Sequence, residues 1–177
     1  SQDKSKDIAL QYKEKYPNKM MYLEMPNGGL SDSRNYGMKH TNGDYIAFLD
    51  SDDYVELNTY EKLYNKAIET GVDMVECDFY WEYPDKKIHD QNANYQNESD
   101  MYSRARVVAW NKLYKGEIFD DFTFPVGKWY EDLGTFPMIN MKYPKYKIID
   151  DKLYYYRQNS NSIMNTVDER IYDIYYD

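Results

Sequence analysis

The sequence is short of cysteine, histidine and positive charge. Its single cysteine, Cys77, cannot form an internal disulfide, so a disulfide framework is excluded as the source of stability and the usage fits a reducing compartment. A lone cysteine in an apolar run behaves as a small buried hydrophobe. Lys and Arg number 22 against 31 Asp and Glu, a formal charge of −9. No basic stripe runs along the chain, which removes the electrostatic footprint of a nucleic-acid binder. No apolar run approaches the roughly 20 residues of a membrane-spanning helix. Repeats and linkers are absent too, so one domain spans residues 1–177.

What is present suits a packed fold. The 177 residues are 42% hydrophobic and 18% aromatic, which argues against disorder despite 30% charged residues. Tyrosine occurs 22 times; it buries a ring and keeps a polar tip, which suits sugar-binding clefts. Compositional drift, with Lys, Asn and Ile also common, accounts for the same usage. An acidic protein can bind a nucleoside diphosphate when a divalent cation bridges the two sets of negative charge.

Apolar spacing predicts a helix over residues 3–16, ended by Pro17. A short strand is expected over 20–24, then the loop Pro26-Asn27-Gly28-Gly29. Ser31 is placed to cap a helix running to about His40, and Asn58 a further one ending before Gly71. Tyr45-Ile46-Ala47-Phe48-Leu49 reads as a buried parallel strand with Asp50-Ser51-Asp52-Asp53 at its carboxyl end, where open α/β sheets hold ligands. Another strand is expected over 73–81, and 82–100 reads as a long loop. A helix over 104–110, an extended stretch over 111–119, a helix over 131–141 and strands over 145–150 and 152–158 follow. The tail from residue 167 starts an amphipathic helix.

Asp50-Ser51-Asp52-Asp53 is the clearest chemical feature. Carboxylates are hard oxygen ligands for Mg²⁺ or Mn²⁺ that keep positions open for substrate phosphates. An EF-hand calcium loop is excluded, because Tyr54 and Val55 stand where an oxygen ligand and the turn glycine belong. A capping cluster ahead of a helix is the plain alternative.

Two longer blocks change the weight of that feature. Pro26-Asn27-Gly28-Gly29-Leu30-Ser31-Asp32-Ser33-Arg34-Asn35-Tyr36-Gly37 and Gly43-Asp44-Tyr45-Ile46-Ala47-Phe48-Leu49-Asp50-Ser51-Asp52-Asp53 resemble the family 2 glycosyltransferases in residue type and spacing. Asp32-Ser33 departs from the small pair usual there. Ala109-Trp110-Asn111-Lys112-Leu113-Tyr114, Phe124-Pro125, Glu131-Asp132 and Leu153-Tyr154-Tyr155-Tyr156-Arg157, with Ser162-Ile163, resemble later blocks of that family in the same order. Ser1-Gln2-Asp3-Lys4-Ser5 is similar to the end of a further motif, and the expectation is a chain lacking the family's opening strand, helix and strand.

The resemblance implies a GT-A fold, an α/β architecture with a mixed, mostly parallel Rossmann-like sheet flanked by helices. Residues 1–80 would form the donor and metal part and 101–166 the acceptor and catalytic part. It implies transfer of a sugar, with inversion, from a nucleotide-sugar such as a UDP-sugar to a saccharide or lipid-linked acceptor, with Mn²⁺ or Mg²⁺. Asp52 and Asp50 would serve the metal, and Asp50, Arg34, Gly28 and Gly29 the donor. Arg34 also fits a plain ion pair to an acid of the 50–53 cluster. Asp132 would be the general base, with Glu131 orienting, although two acids also suit the first turn of any helix. Trp110, Lys112, Trp129 and Tyr130 are the acceptor-side candidates, with core packing the alternative. Asp53 would orient its neighbours, and His40 and His89, both ahead of Asp132, receive no role. A cytoplasmic location, at the inner membrane face or not, peripheral membrane contact and self-association complete the expectations. The rival reading is a carbohydrate-binding or scaffolding module without turnover.

Overall fold

A computed structural model describes residues 3–91 and 95–159. Its centre is strand β3 (Met74–Glu82), close to the strand expected over residues 73–81. β3 pairs antiparallel with β5 (Lys112–Lys115) along its first half and with β4 (Lys87–Asp90) along its second. Its other edge runs parallel to β6 (Tyr146–Arg157), with a register shift around Asp78. β1 (Tyr45–Ala47) joins β5, and β2 (Tyr54–Val55) joins β6, giving the order β1-β5-β3-β6-β2.

Alternation along β3 feeds two cores. Val75, Cys77 and Phe79 point to one face, where helix α3 (Thr59–Thr70) lays Leu63 and Ala67 on them, together with Leu113, Leu153 and Tyr154. These helical residues are four apart, so they share one side of the helix. Gly71 stops α3 in the left-handed region, φ 66°, and returns its N–H to the Ala67 carbonyl. Met74 points to the opposite face. There helices α4 (Glu98–Arg104), α5 (Ile118–Asp121) and α6 (Glu131–Lys142) deliver Met101, Ile118, Phe136 and Ile139.

Helix α1 (Ser5–Lys15) buries no residue, and Ile8, Leu10 and Tyr12 of its sequence are exposed. Helix α2 (Leu30–Met38) is different: Arg34 and Asn35 are buried and lead to the site described below.

Several local expectations are corrected. Residues 20–24 form no ladder. Ser31 does not cap α2: Gly29 holds the cap position at φ 90°, and Ser31 lies buried in the first turn. Asn58 does stand at the α3 cap position, without a side-chain capping bond. The strand leading to the acids is only three residues long, half-buried, and antiparallel to its described neighbour. The sheet is mixed, but the parallel share is smaller than expected: among the described pairings only β3–β6 is parallel. The long loop contains β4 and the start of α4, and the helix expected over 104–110 ends at Arg104. The two strands expected after residue 145 are one continuous β6, because the register shift absorbs the polar Asp150-Asp151-Lys152 step. The tail helix from residue 167 and the Ser162-Ile163 block lie outside the described residues.

Candidate active site

Arg34 is where the separate motifs meet. Helix α2 carries it inward until its side chain is 6% exposed, between the rings of Phe48 and Phe124, 5.8 and 5.2 Å from the guanidinium carbon. One terminal nitrogen donates to Asp50 Oδ1 at 2.8 Å and the other to Glu131 Oε1. The rigid guanidinium fork therefore ties the loop after β1 to the first residue of α6. Burial works against its charge, but Asp50 and Glu131 outweigh it and raise its pKa. Next to it, the Asn35 amide donates to the Phe124 carbonyl at 2.8 Å and accepts from the Phe124 N–H at 2.9 Å. That reciprocal pair fixes the Phe124-Pro125 segment against α2.

The acid loop is held from the other side by β6. The Tyr154 hydroxyl donates to Asp53 Oδ2 at 2.7 Å and accepts the Asp50 N–H at 3.4 Å. The Arg157 N–H donates to Asp53 Oδ1 at 2.9 Å, and the Asp53 N–H closes a turn on the Asp50 carbonyl. Burial, with Asp52 and Asp50 adding repulsion, pushes the Asp53 carboxyl up to about 6 despite those bonds. Asp53 thus acts on the shape of the loop. Asp52 is exposed, and its side chain makes no hydrogen bond or ion pair among the described residues.

Asp132 follows Glu131 in the first turn of α6 and is half-buried. With Phe136, Ala109 and Tyr114 it lines a small cavity of about 10 Å³. Burial first, then the neighbouring Glu131, pushes its carboxyl up to about 6; Arg34 and Lys112 pull the other way. Tyr130, just ahead of the helix, has φ 58°, and it is the only described non-glycine residue with positive φ. Such backbone strain in a non-glycine residue clusters at functional sites.

The other candidates separate. Gly28 backs onto the Asp32 side chain, and Gly29 takes a φ that glycine tolerates best. Trp110 stacks on Tyr154 and Tyr156 at 4.4 and 5.1 Å and meets Phe79 edge-on at 4.8 Å. Trp110 and Lys112 are buried and offer no surface to an acceptor. Trp129 and Tyr130 are half-buried at the start of α6. Among the described residues no group of three or more His, Cys, Asp or Glu converges as a metal cage. Asp52 and the oxygen of Asp50 not taken by Arg34 are hard oxygen donors of the kind Mg²⁺ or Mn²⁺ takes. Sequence reading missed the role of Tyr154 and the buried Glu76–Lys112 pair. Glu76, a lone acid inside an apolar strand, was the available signal for the pair. Among the described residues no helix is long and apolar enough to cross a membrane.

Comparison with known proteins bears on the family and the fold. Residues 1–128 match the profile of glycosyl transferase family 2. The glycosyltransferase GlyA of Streptococcus pneumoniae is 29% identical over 96% of this chain and 27% of its own length. The fold resembles that of S. aureus TarS residues 1–349 in complex with UDP-GlcNAc, with a TM-score of 0.72, 21% identity, and coverage of 98% of this chain and 52% of the other. It also resembles the mannosyltransferase PcManGT of Pyrobaculum calidifontis in complex with GDP-Man and Mn²⁺, with a TM-score of 0.64, 16% identity, and coverage of 92% and 46%. The chain thus spans about half or less of the length of the proteins it matches.

Proposed function

Because the chain belongs to glycosyl transferase family 2, with the GT-A fold, we propose that it serves the transfer of a sugar from a nucleotide-sugar to an acceptor hydroxyl, with inversion. The observation that carries this reading is the Arg34 bridge, which holds Asp50 and Glu131 on one guanidinium. It brings the metal-loop acids and the first turn of α6 into one site.

Asp132 is the base. Its carboxyl, pushed up to about 6, is ionised near neutral pH yet basic enough to accept a proton, which is the compromise general-base catalysis favours. It takes the acceptor O–H proton as that oxygen forms a bond to the sugar C1. The bond from C1 to the phosphate oxygen breaks in the same step, and the nucleoside diphosphate departs with the electron pair. One in-line displacement inverts C1. Glu131 does not transfer the proton, because its carboxylate is committed to Arg34. Arg34 keeps the acid loop seated through Asp50 Oδ1, and the other Asp50 oxygen would serve the donor.

Asp52 and Asp50 would hold a divalent cation, which when bound would offset charge on the departing diphosphate. UDP-GlcNAc in TarS and GDP-Man with Mn²⁺ in PcManGT support this class of donor and metal. Trp129 and Tyr130, half-buried beside the base, would serve the acceptor, a saccharide or lipid-linked sugar. The test is calorimetric titration with UDP, with and without Mn²⁺. Binding should depend on Mn²⁺ in the wild type and lose that dependence in Asp52→Asn, with the fold unchanged by circular dichroism. A variant that binds UDP with the same Mn²⁺ dependence removes Asp52 from the metal site.

A further inference from the structure

Beneath α6 the sheet buries an ion pair. Lys112 Nζ lies 2.9 Å from Glu76 Oε2, and both side chains are fully inaccessible to solvent. Nζ also donates to the Val108 carbonyl and to Asn111 Oδ1, each at 2.8 Å. Glu76 accepts in addition from the Arg106 N–H at 3.0 Å and from the Tyr146 hydroxyl.

Stability alone is a poor reason for such a pair. Desolvating two charges cancels most or all of their attraction, and apolar residues of the same volume are often as stable or more so. What the apolar replacement could not supply is a positive charge at this place: burial lowers the Lys112 pKa, and Glu76, then Asp132, work against that. The Lys112 ammonium packs 4.8 Å from the centre of the Phe136 ring. Phe136 stands one turn after Asp132 on α6, and both line the same small cavity with Ala109 and Tyr114, which flank Lys112 along the chain. Lys112 therefore sits under the turn that presents Asp132.

The charges around Asp132 come from three elements. Glu131 is its neighbour on α6, Arg34 reaches it from α2, and Lys112 from β5; Glu76 on β3 stands behind Lys112. Arg34 is already divided between Asp50 and Glu131. Lys112 is the other cation acting on Asp132, and its acid, Glu76, is its direct partner across the β3–β5 ladder, on the same sheet face.

We propose that Lys112, locked in place by Glu76, is a positioning residue that keeps the Asp132 carboxylate charged and drawn to the first turn of α6. The proposal rests on the reading of Asp132 as the base, and its test does not need turnover. Carbon-13 labelling of aspartate carboxyls in the full chain, with Asp132→Asn to assign the signal, follows the ionisation of Asp132 directly. Lys112→Met removes the positive charge and leaves an acid on Glu76, so the Asp132 midpoint should rise by about half a pH unit or more. That variant leaves Glu76 without its cation and can fail to fold, so Lys112→Met with Glu76→Gln is measured beside it. The double variant should fold and show a rise of the same sign. An unchanged Asp132 midpoint in the folded double variant overturns the proposal. Failure of the functional reading would show elsewhere, as near-normal sugar transfer by Asp132→Asn while the shift in midpoint persists.

Discussion

Replacing Arg34 with methionine keeps the length of the side chain and removes its charge. In the wild-type protein one guanidinium neutralises two carboxylates whose side chains are 23% and 8% exposed. Without it, Asp50 and Glu131 face one another in a poorly solvated site. Breaking a buried pair by removing one partner costs about 3–5 kcal/mol. With a urea slope of about 2 kcal/mol/M, the unfolding midpoint should fall by about 1.5–2.5 M. Adding Glu131→Gln removes one of the stranded charges and should restore part of the loss, with a coupling of roughly 1–3 kcal/mol. Urea unfolding followed by tryptophan fluorescence measures both quantities. A loss below about 1 kcal/mol, or no recovery on adding Glu131→Gln, would refute the reasoning that Arg34 is the electrostatic keystone of the site.

Asp132→Asn keeps size and shape but removes the basic lone pair. Turnover should drop by about 10²–10⁴ while donor affinity measured by calorimetry stays the same. In the wild type, turnover should fall away as pH drops through about 6, where Asp132 takes up its proton. The same raised carboxyl binds its proton more tightly in the folded state. Its stabilising contribution is present below the unfolded value and lost as pH rises through about 6, so Asp132→Asn should melt higher than wild type at neutral pH and no higher near pH 4. Trp110→Ala should cost about 3–5 kcal/mol in urea unfolding, because it empties the stack with Tyr154, Tyr156 and Phe79. A small loss of stability with a selective loss of acceptor binding would return Trp110 to the acceptor side.

The residues alone pointed to the family of this protein and to the order of its parts. An apolar run ending in carboxylates needs only the sequence to be recognised, because strand propensity and ligand hardness are local properties. So are the glycine turn before α2, the left-handed stop at Gly71 and the acid pair that opens α6, since each depends on a few adjacent residues. Partnership was not local. Nothing in the spacing of residues 45–49 says that β1 meets β5 antiparallel, and nothing in 145–158 says that a bulge joins two strands into one. Trp110 and Lys112 carry side chains fit for a sugar, and only the packing of β6 and α6 over them turned one into a core stack and the other into a buried ion. Arg34 and Glu131 lie 97 residues apart. Electrostatic attraction falls off with distance in space rather than along the chain, so the tertiary structure alone could set Glu131 and Asp50 together on the Arg34 guanidinium.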